Sequence, residues 1–275
     1  MGASGDSDLV EQLEILEAAP PKGGSARPLL FVHGAFAAAW CWAEHFLPYF
    51  AAQGFRACAV SLSGHGASPG RERLDWLSVA DYVRDLEQAI ATIGGDPVLI
   101  GHSMGGFVVQ KHLEHASAPG AVLMASVPPQ GLLSASISLA FSKPGLFADL
   151  NSMMHRGRAS LDSLQKALFA NPVTPDDLRT FNRLMQPESQ RAIWDMTFFD
   201  LPRLARERCP PLLVLGAEHD VLVPPSQAEQ IARAYGTEAE IFPDMGHAMM
   251  LETGWQKVAD RIIAWLRATK LDQVI

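Results

Sequence analysis

The pentapeptide at positions 101–105, Gly-His-Ser-Met-Gly, could present a nucleophile, because its central residue is Ser103. An apolar, strand-like run from Pro97 to Ile100 precedes it, and a helix-like stretch from Phe107 to Glu114 follows it. A turn this sharp brings the strand and helix backbones together, so glycines on both sides of the serine relieve the crowding. The first amides of the helix would face any anion that forms beside the hydroxyl group. The sequence therefore predicts a serine at a strand-to-helix elbow, with an ordinary tight turn as the alternative.

A serine hydroxyl needs a general base and a carboxylate that orients the base, and for an elbow serine the chain order is serine, acid, histidine. Asp220 follows the apolar run 211–216, and His247 follows the run 239–243. Because open parallel sheets gather functional groups at the carboxyl ends of their strands, we expect both side chains to lie near Ser103. Asp220 is the candidate acid and His247 is the candidate base.

Other polar residues close to Asp220, His247 and Ser103 leave alternative assignments of the acid and the base open. Glu218 and His219 directly precede the candidate acid, and Asp244, which lies close to His247, is the substitute acid. His102 adjoins the serine, but successive side chains on a strand point to opposite faces. We therefore interpret His102 as a structural or pocket-lining residue and not as the base.

The negative oxygen of a tetrahedral intermediate needs two backbone N–H donors. One donor is expected at the residue after the nucleophile, Met104. The other is expected on the loop after the strand-like run 28–32, where Gly34 lets the backbone bend inwards and leaves the amide of Ala35 as the second donor. His33 could be a base by composition, but we interpret it as a side chain that braces this loop through hydrogen bonds.

Short apolar runs alternate with helical patterns along the chain, which is typical of a parallel sheet covered on both faces. The predicted strands are 11–17, 28–32, 56–62, 97–100, 121–125, 211–215 and 238–242. Helix starts are predicted where serine or threonine has a polar residue three positions on, at Ser78 with Asp81, Ser226 with Glu229 and Thr253 with Gln256. Helix ends are predicted at Gly94 and Gly236.

The alternation stops between about Pro128 and Arg208, where helical patterns follow one another and one of them begins at Thr174 and Pro175. We predict a helical cap here, inserted after the strand that ends near Ala125 and standing over the serine. Its methionines and aromatic residues could line an acyl pocket or pack the cap onto the core; they include Phe141, Phe147, Met153, Met154, Trp194 and Phe198. A basic cluster, His155, Arg156 and Arg158, is more typical of an exposed helix end than of an anion site.

Composition favours a soluble enzyme over a binder of nucleic acid or anionic membrane. The 275 residues carry a formal net charge of -8, whereas both of those partners need clustered lysine and arginine. The three cysteines, Cys41, Cys58 and Cys209, are far apart and odd in number, so we expect reduced buried thiols and not a disulfide or a zinc site. The first residues lack a basic patch and an apolar core, so we expect no signal peptide, a cytoplasmic location and no transmembrane segment.

The order of these motifs resembles that of the α/β-hydrolase superfamily. The resemblance rests on residues 33–36, the segment 61–68 (Ser-Leu-Ser-Gly-His-Gly-Ala-Ser), the elbow at Ser103, the Asp220 loop and residues 245–247 (Met-Gly-His). Residues 33–42 are also similar to small bacterial carboxylesterases and to the plant methylesterase and hydroxynitrile lyase branch.

The resemblance implies an α/β fold with a mostly parallel central sheet flanked by helices, and a helical cap inserted after the sixth strand. We expect the core at 9–127 and 209–270 and the cap (lid) at 128–208. Ser103, Asp220 and His247 would then form the catalytic triad, and Ala35 and Met104 the oxyanion hole.

Three positions depart from patterns within the superfamily. Ser63 stands where many relatives carry an arginine, so no role for a positive charge is expected there. The nucleophile is serine and not aspartate, which argues against the epoxide hydrolase and haloalkane dehalogenase branches. Ala248 follows the histidine where the hydroxynitrile lyases carry a lysine, which argues against cyanohydrin cleavage.

The expected function is hydrolysis of carboxylic esters through an acyl-enzyme, with no organic cofactor and no metal. The same triad would also suit thioester, lactone or carbon–carbon bond hydrolysis or perhydrolysis, and a non-catalytic ligand receptor of the same fold is a further alternative. The substrate is expected to be a small ester with an apolar acyl or alcohol part. Its pocket is expected to include Phe36, Met153, Trp194, Leu222 and Ala248. The sequence leaves the oligomeric state open.

Overall fold

A seven-stranded sheet forms the centre of the protein. The computed structural model describes residues 12–21, 27–145, 147–149, 152, 160–203 and 209–273. The strands are β1 (Ile15–Ala18), β2 (Leu29–Val32), β3 (Ala57–Val60), β4 (Val98–His102), β5 (Ala121–Met124), β6 (Leu212–Ala217) and β7 (Ala239–Phe242). Their order in the sheet is β1-β3-β2-β4-β5-β6-β7. Only the β1–β3 pair is antiparallel among these described strands, so the expectation of a mostly parallel α/β sheet is confirmed.

Each predicted strand corresponds to an observed one, with ends shifted by a few residues. The first strand begins at Ile15 and not at Glu11, which lies outside the described residues. Strand β4 runs two residues further than predicted, to His102, and therefore ends directly at the candidate nucleophile. The parallel register pairs Val32 of β2 with Gly101 of β4. The loop after β2, which carries the candidate oxyanion donor Ala35, and the elbow after β4 thus begin side by side.

The α-helices of the described residues are α1 (Trp40–Ala43), α2 (Phe46–Ala52), α3 (Val79–Ile93), α4 (Met104–His112), α5 (Leu133–Ser142), α6 (Leu161–Leu168), α7 (Pro175–Leu184), α8 (Gln190–Trp194), α9 (Pro225–Tyr235) and α10 (Trp255–Ala268). A 3₁₀ turn spans Arg71–Trp76 and a π turn spans Asp195–Phe199. In the described part of the chain, every helix falls short of the length and apolarity needed to cross a bilayer.

Most of the predicted helix boundaries agree with the structure. Ser78 forms a capping box with Asp81, since the Asp81 carboxylate accepts from Ser78 N at 2.8 Å and Asp81 N donates to Ser78 Oγ at 3.2 Å. The N-cap at Thr174 and the helix ends at Gly94 and Gly236 are likewise confirmed.

Two predicted helix starts are wrong. Helix α9 begins one residue before Ser226, at Pro225, whose fixed φ suits the first helical position and whose missing N–H costs nothing there. Helix α10 begins after Thr253, with Gly254 at φ 90° as its N-cap.

Alternate residues of the strands face two separate hydrophobic clusters, one on each side of the sheet. Leu29 and Phe31 of β2 pack into one cluster, and Leu30 and Val32 pack into the other. All four are 0% exposed, as expected for a parallel sheet that is covered on both faces. The three cysteines are free, and Cys209 is only half-buried where a buried thiol was expected.

The segment between β5 and β6 carries α5, α6, α7 and α8 and includes the predicted cap. In this numbering it follows the fifth strand of the described chain, not the sixth. The bounds 128–208 stay a prediction. Three aromatic residues proposed for an acyl pocket point outwards instead, because Phe141, Trp194 and Phe198 are 85%, 53% and 46% exposed.

Candidate active site

Ser103 occupies the turn between β4 and α4 in a strained backbone conformation. Its φ of 52° and ψ of -117° are rare for a residue with a side chain, and such strain is typical of functional sites. Ser103 N donates to Met124 O at 3.1 Å, and Phe107 N donates to Ser103 O at 3.2 Å. The strand and the helix therefore hold the predicted elbow from both sides.

The two glycines that flank the elbow are required by close backbone contacts. A Cβ atom on Gly101 would lie 2.5 Å from Gly105 O, where the helix starts. A Cβ atom on Gly105 would lie 2.3 Å from Val32 O, at the end of β2. Both distances are far below normal contact, so Gly105 lets the start of α4 lie against the end of β2.

Asp220 and His247 meet at the carboxyl edge of the sheet, after β6 and β7. His247 Nδ1 donates to Asp220 Oδ2 at 2.7 Å, and both residues are buried. The other carboxylate oxygen, Oδ1, accepts from Leu222 N at 2.9 Å and from Val223 N at 2.8 Å. These three bonds fix the carboxylate and assign the proton of His247 to Nδ1, which leaves Nε2 free to act as a base.

Asp244, the substitute acid, does not occupy this position. Its side chain is 87% exposed, and the histidine it approaches is His219, at 4.0 Å. Glu218 lies on the same exposed surface, 3.8 Å from His219. The hydrogen bonds therefore favour Asp220 as the partner of His247.

His102 is closer to His247 than strand alternation suggested. Its Nε2 donates to His247 O at 2.9 Å, and the two rings lie 4.7 Å apart between centroids. Burial, followed by the charge of neighbouring His247, holds the pKa of His102 well below its usual value of 6.5. His102 is therefore a neutral donor that supports the backbone of His247, and it also lines the cavity beside Ser103.

His33 braces the loop after β2, as predicted. Its Nδ1 donates to Gly34 O at 2.8 Å, and its Nε2 accepts from Leu62 N at 3.1 Å. Burial, and then neighbouring His65, lower the pKa of His33 to about 3, so the ring stays neutral with one donor and one acceptor. Since Gly34 O belongs to the same peptide group as Ala35 N, this bond also orients the candidate oxyanion donor.

A cavity of about 240 Å³ opens beside the elbow and is mostly apolar. It is lined by Ser103, His247 and both candidate oxyanion donors, Ala35 and Met104. Three of the predicted pocket residues, Phe36, Leu222 and Ala248, also line it. Trp194 was predicted wrongly, because it stacks on Phe198 at 5.8 Å on the outer surface, and Met153 lies outside the described residues, as does Met154.

Helices α5 to α7 and the segments beside them complete the wall of the cavity. They contribute Leu139, Phe147, Leu164, Leu168, Phe181 and Met185. Of the four aromatic residues named for an acyl pocket, Phe141, Phe147, Trp194 and Phe198, Phe147 is the one that lines this described wall. The basic cluster 155–158 falls outside the described residues.

Sequence reasoning missed two glutamates, Glu188 and Glu252, which are both 0% exposed. Glu252 accepts from Gly246 N at 3.1 Å, next to His247, and from Ala170 N at 2.7 Å in the segment between β5 and β6. Glu188 in the same segment accepts from Phe36 N at 3.3 Å. Neither glutamate belongs to a motif, so only their contacts reveal them.

Glu188 forms a buried ion pair with His65, whose Nε2 lies 3.0 Å from Glu188 Oε2. Burial lowers the pKa of His65, but the charge and hydrogen bond of Glu188 raise it by more, so this pKa lies above 6.5. Burial raises the pKa of Glu188. The charge of His65 and the hydrogen bonds that the Glu188 carboxylate accepts lower it by more, so this pKa lies below 4.5. The positive charge of Arg71 lowers the pKa of His65 by a smaller amount.

Two clusters in the described chain group three possible metal-ligating atoms within 4.8 Å of one another. The first contains Glu87, His112 and His115, and Glu87 Oε1 accepts from both histidines at 3.2 and 2.8 Å. The second is the exposed group of Glu218, His219 and Asp244. None of these residues is among those that line the cavity beside the serine.

The chain matches a family model and several plant proteins. The model of the alpha/beta hydrolase family matches residues 29–261. A rice protein (Oryza sativa subsp. indica) named "Probable esterase PIR7A" is 31% identical over 173 residues, which is 58% of this chain and 65% of the rice protein. Methylesterase 3 of Arabidopsis thaliana is 36% identical over 80 residues, or 28% of this chain and 30% of that protein.

Among solved structures, an esterase from Exiguobacterium antarcticum has a similar fold. The TM-score is 0.71, with 19% sequence identity, and the match covers 93% of this chain and 95% of the esterase. The chain spans less than two thirds of the length of each of these two plant proteins.

Proposed function

Because this chain belongs to the alpha/beta hydrolase family, we propose that it is a serine hydrolase that cleaves carboxylic esters. The observation that carries the proposal is the buried bond between His247 Nδ1 and Asp220 Oδ2, beside a cavity that His247 and Ser103 both line. A neutral imidazole with its Nδ1 proton held in this way presents a basic Nε2 to a nucleophile. The esterase names of the plant relatives support the same reaction.

In the proposed reaction, Ser103 Oγ forms a bond to the ester carbonyl carbon while His247 Nε2 takes the hydroxyl proton. The carbonyl oxygen becomes negative and accepts hydrogen bonds from the amides of Ala35 and Met104. The intermediate collapses, the carbon–oxygen bond to the alcohol breaks, and His247 gives its proton to the departing alcohol. Water then attacks the acyl-enzyme by the same steps in the same order, releasing the acid and restoring Ser103. Asp220 holds the Nδ1 proton of His247 throughout and balances the positive charge of the ring while Nε2 is protonated.

The cavity supports a substrate with one apolar part of modest size. Its lining is mostly apolar, with Ser136, Asp149 and Ser163 as polar residues outside the candidate catalytic group, and a volume of about 240 Å³ is below the range typical of pockets for drug-sized ligands. Burying an apolar acyl or alcohol group there would contribute roughly 0.8 kcal/mol per methylene. In this proposal the segment 128–208 serves as a cap that supplies much of the wall.

The test is the initial rate of hydrolysis of p-nitrophenyl esters from acetate to palmitate, measured for the wild type, Ser103→Ala and Ser136→Ala. Ser136 also lines the cavity and serves as the matched control. We expect Ser103→Ala to lose roughly 10³-fold or more in rate, and Ser136→Ala to stay within about threefold.

Equal rates for the wild type and Ser103→Ala would contradict the proposal. If Ser103 reacts with a fluorophosphonate but no ester turns over, the same triad acts on thioesters, lactones, carbon–carbon bonds or peroxide, or the protein is a ligand receptor. The ester length with the highest rate would measure the apolar part of the substrate.

A further inference from the structure

The peptide groups around Phe36 are held by the segment between β5 and β6. Phe36 N donates to Glu188 Oε2 at 3.3 Å, and Gln186 N donates to Phe36 O at 3.1 Å. Phe36 itself has a φ of 64°, which is uncommon for a residue with a side chain. A strained conformation persists only where surrounding contacts enforce it, so these two bonds maintain the shape of the loop after β2.

Glu188 is well suited to enforce a position, because each of its oxygens accepts two hydrogen bonds. Oε2 accepts from His65 Nε2 at 3.0 Å in addition to Phe36 N. Oε1 accepts from the hydroxyl of Tyr82 at 2.8 Å and from Ser189 N at 2.7 Å. A carboxylate with four donors and 0% exposure has one orientation, and an alternative would leave buried donors unpaired.

Gln186 anchors the same loop to the segment around His65. Its side-chain Nε2 donates to Gly64 O at 2.8 Å, and its Oε1 accepts from Gly66 N at 3.0 Å and from Arg71 at 2.9 Å. The residues 186–189 thus connect the loop after β2 to the segment 63–66. We name residues 186–189 the clasp.

The clasp acts next to the candidate oxyanion donor, Ala35 N. The peptide that contains Ala35 N has its oxygen, Gly34 O, held by His33 at 2.8 Å. The next peptide contains Phe36 N, which Glu188 holds. The Ala35 N–H lies in the first of these planes, which His33 holds. By holding the second plane, Glu188 limits the rotation of the first plane about the φ and ψ bonds of Ala35.

We propose that Glu188 is a positioning residue of the oxyanion hole, through which the cap sets the direction of the Ala35 N–H. The inference rests on the proposed serine-hydrolase function for its consequence in catalysis, but the effect of Glu188 on the loop does not depend on which substrate is used. The cap therefore completes the catalytic geometry in addition to enclosing the substrate. An oxyanion donor is useful only when it points at the developing charge, so the effect falls on the chemical step and not on substrate binding.

The test uses Glu188→Gln, which preserves shape. Whichever way the new amide turns, its NH₂ group faces a backbone N–H, that of Phe36 or that of Ser189. The matched control is Asp195→Asn. Asp195 is also buried and also joins the cap to the core, by accepting from Val79 N at 3.2 Å, but this contact is with the start of α3 and not with the loop after β2.

We expect Glu188→Gln to lower kcat by about 10- to 100-fold, after normalisation to the fraction of Ser103 that reacts with a fluorophosphonate, while KM changes less than about threefold. Asp195→Asn should leave both constants within about threefold. Glu188→Asp keeps the charge but shortens the reach to Phe36 N, so it should give an intermediate loss and serves as the second variant if Glu188→Gln fails to fold.

Amide hydrogen exchange of residues 33–37 gives a readout that is independent of substrate. We expect faster exchange in the Glu188 variants than in Asp195→Asn and the wild type. Unchanged exchange in this loop, or a kcat loss no larger than that of Asp195→Asn, would overturn the proposal. If the wild type lacks ester turnover altogether, the proposed function fails, and the exchange data alone still decide the role of Glu188.

Discussion

Replacing Asp220 with asparagine should place the wrong tautomer of His247 opposite Ser103. In the wild type, Asp220 Oδ1 accepts from two backbone amides, Leu222 N and Val223 N, at 2.9 and 2.8 Å. An asparagine would keep its oxygen towards these amides and turn its NH₂ group towards His247 Nδ1. That nitrogen must then accept, so the ring proton moves to Nε2 and the base is lost.

The size of the effect follows from the cost of turning the asparagine over. The reversed amide would leave two buried N–H groups opposite an NH₂ group, at roughly 1–3 kcal/mol each, or about 2–6 kcal/mol in total. A penalty of this size makes the productive arrangement roughly 30- to 10⁴-fold rarer, since about 1.4 kcal/mol corresponds to a factor of ten. We expect kcat of Asp220→Asn to fall within this range.

The assay is the steady-state kcat for the best p-nitrophenyl ester, with Asp244→Asn as the control. Asp244 is the neighbouring exposed carboxylate, and its replacement should change kcat by less than about twofold. Retention of more than a tenth of the wild-type kcat by folded Asp220→Asn would refute the tautomer argument. A large loss in Asp244→Asn instead would move the role of the acid to that residue.

Two further predictions concern stability. Gly105→Ala places a Cβ 2.3 Å from Val32 O, so we expect the free energy of unfolding in urea to fall by roughly 1–3 kcal/mol. In the control, Gly145→Ala, the new Cβ would meet nothing within 4 Å, and the loss should be far smaller. Equal losses in the two variants would contradict the contact. The pKa of His65 lies above 6.5 in the folded protein, so its ion pair with Glu188 stabilises the folded state fully below pH 6.5. This stabilisation is lost as the pH rises through the folded pKa of His65. The difference in unfolding free energy between the wild type and Glu188→Gln should therefore shrink from pH 6 to pH 9, and a constant difference would show that the pair is not ionised.

The parts of the site that local sequence encodes could be predicted. The elbow needs glycines at fixed distances from Ser103, and the strand before it is a continuous apolar run, so the pattern is visible in a dozen residues. The order of Asp220 and His247 after later strands follows from the topology of a parallel sheet. Strand ends were harder to predict. Strand β4 continues through Gly101, which has no side chain, and His102, which is polar, so neither residue extends the apolar pattern.

Contacts between distant parts of the chain could not be predicted. Phe36 and Glu188 are 152 positions apart, and Ala170 and Glu252 are 82 apart. A glutamate in a polar segment most often faces water, so nothing in the sequence marks Glu188, which lies between α7 and α8, as buried. Trp194 shows the reverse error, since a large aromatic residue suggested a pocket wall but lies 53% exposed.

The two buried glutamates also restrict how the cavity can open. Moving residues 170–188 as one body away from the sheet would pull Glu188 from Phe36 N and Ala170 from Glu252, and each break would leave a buried charge or donor unpaired. Helix α5 is placed differently, because Leu133, Ile137 and Phe141 are exposed while Leu139 lines the cavity. A displacement confined to α5 would leave both of these hydrogen bonds intact, because neither Glu188 nor Ala170 lies on that helix.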